Sequence, residues 1–273
     1  MKKILLATLL SLSCASVFAS DAAKSNLDPA FAKAQELLQA KNYTAAFQEL
    51  DRLAKTGNAQ ALYNLGFLTQ TGQGTAKNEN KALKYYQDSS EKGYSFASYT
   101  LAQGYSTGQL GLTKDDKKVR EYLEKSSAQG FDDATIELAV LLFAEGKPAS
   151  DKLALQKIDP LIEKNFPPAT HIKAVYDITQ GLKTKNATTI QQGLKSIQEL
   201  AKNGYIPAIM ALGNMMTNGN IIDQNLPEAQ KIFTMLAKQN VPKAKESLEV
   251  VNQLIAKQAK KPAVPATTPA AKK

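Results

Sequence analysis

Residues 59–93 read AQALYNLGFLTQTGQGTAKNENKALKYYQDSSEKG, and this stretch decides the fold. Its first half repeats apolar residues at helical spacing, with the small residue Gly66 where a second helix could approach closely. Gly72 interrupts that pattern as a turn, and a second amphipathic run follows that carries Tyr86 and ends at Gly93. The stretch therefore predicts two helices joined by a short turn.

The same helix end recurs along the chain as a Gly or Asn followed four residues later by an alanine. The six pairs are Gly57 with Ala61, Gly93 with Ala97, Gly130 with Ala134, Asn165 with Ala169, Gly204 with Ala208, and Asn240 with Ala244. Successive units are therefore 36, 37, 35, 39 and 36 residues long. The residue after a helix often adopts the left-handed conformation, which Gly and Asn tolerate. A fixed period of this length predicts stacked helical hairpins.

Other positions keep the same register. Leu-small pairs stand at Leu65-Gly66, Leu101-Ala102, Leu138-Ala139 and Leu212-Gly213. The glycines that predict the turn between the two helices of each unit are Gly72, Gly108, Gly146, Gly181 and Gly219. The register is weakest between residues 150 and 190, where Lys173-Ala174 replaces the Leu-small pair and several prolines intrude.

The pattern in residues 59–93 resembles the Sel-1-like repeat, a relative of the tetratricopeptide repeat. Residues 95–130 and 208–239 carry it well, whereas residues 131–203 carry it loosely. The resemblance implies an all-α fold, a right-handed α-solenoid of stacked antiparallel helical hairpins. It is specific for the fold but not for a function, because related repeats bind many different partners.

We expect a single solenoid domain over residues 28–257, with about five to six repeats. Residues 28–56 read as a capping hairpin, since the end units of a solenoid must cover its exposed apolar faces. Before this domain we expect a signal peptide at 1–19 and a flexible segment at 20–27. After it, the Lys/Pro/Ala composition of residues 258–273 predicts a disordered tail.

The N-terminus has the layout of a secretory signal peptide. Lys2 and Lys3 precede a short apolar run, and small residues lead to a cleavage site after Ala19. The periplasm is therefore the expected location, with secretion as the second choice. Lipidation at Cys14 is a minor alternative, because its leucine stands one place too close to the cysteine. Cleavage after Ala19 leaves a mature chain without cysteine.

The net charge of +9 does not indicate a nucleic-acid-binding protein. Two lysines leave with the signal peptide and five lie after residue 256, so the body keeps 34 − 2 − 5 = 27 basic against 25 acidic residues. Only Arg52 and Arg120 are arginines, the residues best suited to phosphate and base contacts. The tail lysines could instead attract an anionic envelope surface weakly. No segment after the signal peptide is apolar enough to predict a transmembrane helix.

Two fragments match motifs of penicillin-recognising serine enzymes. One is a Ser-x-x-Lys motif that begins at Ser89, and the other is a Lys-Thr-Gly motif that begins at Lys55. Their order is reversed, no Ser-Asp-Asn element exists, and both are helix ends of the repeat. We therefore expect no catalytic residue. His171 is the only histidine, so we also expect no metal site and no cofactor.

The resemblance implies that a partner binds the concave surface lined by the first helix of each unit. In the tetratricopeptide fold the ligand-facing positions lie three residues before and one residue after the small residue of the Leu-small pair. Carried over, they are Tyr63, Phe67, Tyr99, Gln103, Ile136, Val140, His171, Val175, Met210 and Asn214. This stripe carries no charge, which suits a helix or an extended apolar segment of a partner.

Three functional hypotheses remain at this point. The first is a non-catalytic scaffold of the bacterial cell envelope that binds a protein or peptide in its concave groove. The second is an immunity protein that neutralises a toxic effector, delivered by a secretion system, in the periplasm. The third and most remote is an enzyme acting on the cell wall or on β-lactams, for which Ser89 would be the nucleophile. The sequence identifies neither the partner nor the oligomeric state.

Overall fold

The computed structural model describes residues 31–259, which hold thirteen α-helices and no β-strand. Their contacts divide them into two compact units between Asn165 and Phe166, and each unit is described by itself. The predicted signal peptide, the segment at 20–27 and the tail from Lys260 onward lie outside the described residues. Gln258 and Ala259, counted with the tail above, belong to the last helix.

Within each unit, every helix packs against the next one along the chain. The N-terminal unit contains α1 (Ala32–Gln39), α2 (Tyr43–Lys55), α3 (Ala59–Thr71), α4 (Glu79–Glu91), α5 (Ser95–Thr107), α6 (Asp116–Ala128), α7 (Asp132–Ala144) and α8 (Pro148–Glu163). The C-terminal unit contains α9 (Pro167–Thr184), α10 (Ala187–Lys202), α11 (Ile206–Asn218), α12 (Leu226–Lys238) and α13 (Ala244–Ala259). The predicted all-α solenoid of helical hairpins is confirmed.

The helix ends that define the repeat adopt the left-handed conformation, as predicted. The φ angles are 91° at Gly57, 91° at Gly93, 88° at Gly130, 57° at Asn165, 82° at Gly204 and 55° at Asn240. At the end of α4, the N–H of Gly93 donates to the carbonyl of Ser90, and the next N–H donates to that of Ser89. Such bonds satisfy carbonyl groups that the helix leaves without a partner.

From α4 to α12, first and second helices of the repeats begin differently, except that the second helix α8 follows Lys147 without a side-chain cap. The second helices α4, α6, α10 and α12 follow an Asn or Asp whose side chain accepts a backbone N–H bond from the first turn. These residues are Asn78, Asp115, Asn186 and Asn225. The first helices α5, α7, α9 and α11 instead follow aromatic residues that make no such bond, namely Tyr94, Phe131, Phe166 and Tyr205. Those aromatic side chains are therefore available for packing.

At the Leu-small position the two helices of a hairpin are in close contact. A Cβ on Gly66 would lie 2.8 Å from Cε1 of Tyr86 in α4, and a Cβ on Gly213 would lie 2.7 Å from Cζ of Phe233 in α12. The missing Cβ thus makes room for an aromatic ring, and both rings are fully buried.

Buried and half-buried hydroxyl groups connect neighbouring repeats in the N-terminal unit. The hydroxyls of Ser90 and Ser98 lie 2.8 Å apart, and those of Ser127 and Thr135 lie 2.8 Å apart one repeat later. Gln129 completes the first pair, because its Oε1 accepts from Ser98 and its Nε2 donates to the carbonyl of Ser90. These bonds join α4 to α5 and α6 to α7.

The hairpin of α9 and α10 departs from the regular repeat. The prediction that Gly181 marks its turn is wrong, because α9 continues past this residue and Lys185 takes the left-handed conformation with φ of 56°. A Cβ on Gly181 would lie 2.6 Å from Cγ1 of Ile190, and one on Gly193 would lie 2.5 Å from the carbonyl oxygen of Ala174. Both glycines therefore serve close helix packing rather than chain reversal.

Candidate partner-binding face

The ten residues predicted to face a partner all lie on first helices. The N-terminal unit holds Tyr63, Phe67, Tyr99, Gln103, Ile136 and Val140, and the C-terminal unit holds His171, Val175, Met210 and Asn214. Nine of them are half-buried, whereas His171 is 2% exposed. The nine keep a surface that a partner could reach, and their role in binding stays a prediction.

One contact recurs at the position three residues before the small residue. Tyr63 packs on Tyr94 with ring centroids 5.3 Å apart, and Tyr99 packs edge-on against Phe131 at 4.9 Å. In the C-terminal unit, His171 packs in the same way against Tyr205, at 5.6 Å. Each of these side chains therefore contacts the aromatic residue that begins the next first helix, so it also joins successive repeats.

These contacts form an aromatic cluster in the N-terminal unit, made of Tyr63, Tyr86, Tyr94, Phe96, Tyr99 and Phe131. Phe96 and Phe131 have the shortest separation, with ring centroids 4.6 Å apart. Burial raises the pKa of Tyr94 to about 12, which reflects its apolar surroundings. The cluster gives this face a rigid apolar base, because aromatic pairs in such tilted arrangements attract each other beyond their buried area.

A carboxylate, that of Glu137, lies beside the uncharged predicted stripe. The hydroxyl of Tyr99 donates to Oε1 of Glu137 at 2.5 Å, and Nε2 of Gln103 donates to its Oε2 at 2.9 Å. Glu137 is half-buried on α7, and burial raises its pKa above the usual range. The two hydrogen bonds oppose that rise, and the charge of Asp133, one turn earlier, adds to it.

His171 is part of the interior of the C-terminal unit, so it cannot serve as the predicted surface contact. Its imidazole donates a hydrogen bond to the backbone carbonyl of Pro207, while its Nε2 has no hydrogen-bond partner. Burial lowers its pKa to about 4, and the ring is therefore neutral at physiological pH. Sequence alone could not show this, because the register gives the position of His171 but not the depth of its side chain.

The remaining predicted residues of the C-terminal unit are half-buried beside its core. Val175 packs against the core group around Ile178 and Ile197, and Met210 packs against the group around Phe233. Asn214 is half-buried on α11. These side chains therefore pack partly against the core and remain partly exposed on the first helices.

Ser89 is not placed to act as a nucleophile. It is fully buried, and its hydroxyl donates to the backbone carbonyl of Ala59 at 2.7 Å. Ser126, one repeat later, makes the same bond to the carbonyl of Ser95. The serine is therefore a repeated structural position, and the one candidate for a serine-enzyme mechanism is inaccessible to substrate.

The described part of the chain shows no group of three or more His, Cys, Asp or Glu side chains that could hold a metal ion. None of the helices between residues 31 and 259 is both long and apolar enough to cross a bilayer.

Two features of the face were missed by sequence reasoning. The aromatic residues at 94, 131, 166 and 205 follow the Gly or Asn at four of the six helix ends, so the repeat register itself contains that signal. Glu137 gives no such signal, because its equivalents Asn64, Thr100, Ile172 and Ala211 are all uncharged. A single charged residue in one repeat looks like ordinary surface variation until its neighbours are known.

Repeated hairpins that interact through equivalent residues define an α-helical repeat protein. The model of the Sel1 repeat matches residues 59–94, 95–131 and 206–241. These three segments of the chain are therefore Sel1 repeats. A search of curated protein sequences gave no match.

Solved structures show the same fold. A Sel1 repeat protein from Oxalobacter formigenes is 23% identical, with a TM-score of 0.67, and the match covers 84% of this chain and 90% of that one. The protective antigen c5321 of uropathogenic Escherichia coli strains, which displays an SLR fold, is 24% identical with a TM-score of 0.60. That match covers 80% of this chain but only 46% of the antigen, so the chain spans about half of its length.

Proposed function

We propose that this protein is a non-catalytic scaffold of the bacterial cell envelope that binds a protein or peptide along its first helices. Sel1 repeat proteins are generally protein-interaction scaffolds, and three such repeats are present. The signal-peptide pattern of residues 1–19 supports export. Partner and location are both parts of this proposal.

The observation that carries the proposal is the aromatic and half-buried character of the first-helix face. Rigid aromatic anchors beside adaptable polar groups are typical of protein interfaces, since they supply contact area at a low cost in conformational entropy. Tyr63, Phe67 and Tyr99 supply such area on α3 and α5, and Gln103 supplies an amide. Ser89, the alternative as a catalytic residue, is buried.

Site-specific photo-cross-linking in the native host tests this proposal. A benzophenone amino acid would replace Val140 or Asn214, both half-buried on first helices. The matched controls carry it at Lys84 or Glu121, which are exposed on the second helices α4 and α6. We expect one protein, identified by mass spectrometry, to cross-link from a first-helix position but from neither control. Equal recovery from all four positions, or no protein adduct at all, would contradict the proposal.

The identity of the cross-linked protein also separates scaffold from immunity protein. A toxic enzyme that loses activity when mixed with the purified chain would make the immunity role correct. Cell fractionation, with N-terminal sequencing of the purified protein, tests the envelope location. We expect the periplasmic fraction and a mature chain that begins at Ser20, and a cytoplasmic protein that retains Met1 would contradict export.

A further inference from the structure

We propose that the face formed by α5 and α7 binds a lysine or arginine side chain of the partner, with Glu137 as its counter-ion. This inference rests on the proposed function, and it adds the chemistry by which a partner segment is recognised. It concerns only the N-terminal unit, where Tyr99, Gln103 and Glu137 lie together.

The charge on Glu137 has no basic partner among residues 31–259. Other carboxylates of the same unit do form ion pairs with Lys or Arg, namely Glu49, Asp51, Glu79, Glu121, Glu124 and Glu145. The only charge that acts on Glu137 strongly enough to affect its pKa is that of Asp133, and it has the same sign. A half-buried carboxylate next to a second acidic group gains most from an external cation, because nothing in the unit neutralises it.

The carboxylate is held in a fixed position and still has acceptor capacity. Tyr99 and Gln103 each donate one hydrogen bond, one to each oxygen of Glu137. An ionised carboxylate offers about four acceptor sites, so about two remain for the N–H groups of a ligand. Because both donors come from α5, the orientation of the carboxylate is determined before any ligand arrives. Binding then costs little additional side-chain ordering.

Aromatic rings beside the carboxylate provide the second half of a cation site. Tyr99 donates to Glu137 through its hydroxyl and contacts Phe131 through its ring, with centroids 4.9 Å apart. The ring centroids of Phe96 and Phe131 are 4.6 Å apart. Ammonium and guanidinium groups are attracted to ring faces, and their alkyl stems pack on apolar surface. Half-buried Ile136, next to Glu137 in the chain, supplies such surface.

A purely structural role for Glu137 makes a different prediction. If it served only to join α5 to α7, Glu137→Gln would leave binding intact, because a glutamine oxygen can still accept the Tyr99 bond. If it binds a cation, the same substitution removes the charge while it keeps the size of the side chain. Glu137→Gln therefore separates the two roles. Asp132→Asn is the matched control, since it removes one charge from the same helix about 140° around its axis.

Titration of the purified mature protein by ¹⁵N NMR tests the proposal. The probes are acetyl-Leu-Ala-Arg-Ala-Leu-amide, its lysine form and its citrulline form, which is neutral and has nearly the shape of arginine. We expect the basic peptides to bind with millimolar affinity and to shift the amide signals of Gln103, Glu137 and their neighbours. The citrulline peptide should bind about tenfold more weakly, and Glu137→Gln should weaken the basic peptides about tenfold, while Asp132→Asn should change little.

Three results would overturn the cation site, and a separate experiment tests the scaffold role. Equal binding of the arginine and citrulline peptides, unchanged binding by Glu137→Gln, or no shifts near Glu137 with any peptide would overturn the inference. The affinity of the cross-linked partner for wild type and for Glu137→Gln then tests the proposed function separately. If that partner binds wild type and Glu137→Gln with the same affinity, the scaffold role stands and the cation site does not. The citrulline comparison uses wild-type protein, so it holds even where a variant folds poorly.

Discussion

The close approach at Gly66 leads to a sharp prediction about stability. Gly66 lies inside α3, where a Cβ would stand 2.8 Å from Cε1 and 2.9 Å from Cδ1 of Tyr86. The ring cannot easily move aside, because it is 1% exposed and its hydroxyl donates to Oε1 of Gln70 at 2.8 Å. The ring of Tyr63 also packs against it, with centroids 5.4 Å apart. Gly66→Ala should therefore destabilise the N-terminal unit.

The expected magnitude is a balance of two effects. Forcing an extra methyl into a well-packed core costs about 1–3 kcal/mol, and the fixed ring of Tyr86 places this case at about 3 kcal/mol. Alanine in a helix interior is favoured over glycine by about 1 kcal/mol. The difference predicts that Gly66→Ala lowers the free energy of unfolding by about 2 kcal/mol.

The next repeat suggests a compensating substitution. There the equivalents of Gly66 and Tyr86 are Ala102 and Leu123. The alanine is larger than glycine, and the leucine that faces it is smaller than tyrosine. Tyr86→Leu alone should destabilise, since it removes a buried ring and a hydrogen bond. In the double variant Gly66→Ala/Tyr86→Leu, however, the added methyl has room. We expect the two substitutions to be non-additive by about 2 kcal/mol, in the direction of greater stability.

Urea unfolding followed by circular dichroism gives the four free energies of this double-mutant cycle. The Gly213 and Phe233 pair of the C-terminal unit, which has the same geometry at 2.7 Å, provides an independent repeat of the experiment. If Gly66→Ala is neutral or stabilising, or if the two substitutions simply add, then close packing against Tyr86 is not why this position is a glycine.

Three further predictions concern single side chains. The pKa of His171 is lowered to about 4 from 6.5, so the folded state binds fewer protons, and stability should fall by about 3 kcal/mol as pH drops through this window. In His171→Gln, the urea midpoint of unfolding should depend less on pH between pH 6.5 and 4 than in wild type. An equally steep pH dependence in the variant would show that His171 is not the group responsible. Ser89→Ala should lower the free energy of unfolding by about 1–2 kcal/mol, because it removes the hydrogen bond from a fully buried hydroxyl to the carbonyl of Ala59; an unchanged urea midpoint would contradict this. Asn225→Ala should cost about 1 kcal/mol through the lost cap on the N–H of Glu228, and Asn225→Asp, which can still cap, should restore thermal stability.

The helix ends were predictable because they depend on backbone conformation alone. Few residues tolerate a positive φ, so Gly57 or Asn165 at a fixed spacing reports local geometry directly. Gly181 shows the limit of that reasoning. A glycine inside a helix pattern can also mark close packing, and only the contact with Ile190 distinguishes the two roles.

The partner-binding face was harder to predict because its properties come from contacts between repeats. The register correctly assigns Tyr63 and Tyr99 to first helices, but not their rings to the aromatic residues of the following repeat. It places His171 in the same stripe, although the imidazole is buried against Tyr205. Glu137 belongs to the face only because two side chains of α5 donate to it. Such tertiary features leave no periodic trace in a single sequence.

The hydroxyl pairs between repeats affect how this chain could change its length. Ser90 meets Ser98 at the boundary between one repeat and the next, and Ser127 meets Thr135 at the following boundary. A tandem duplication of residues 95–131 would set a second Ser98 opposite Ser127, which is again a hydroxyl facing a hydroxyl. The residues that form the new junction would therefore already carry hydroxyl groups that can hydrogen-bond. The equivalents of Ser90 in α10 and α12 are Ala201 and Ala237, which carry no hydroxyl group. Duplication of a whole repeat therefore keeps this hydrogen bond in the N-terminal unit, whereas a duplication in the C-terminal unit would not form it.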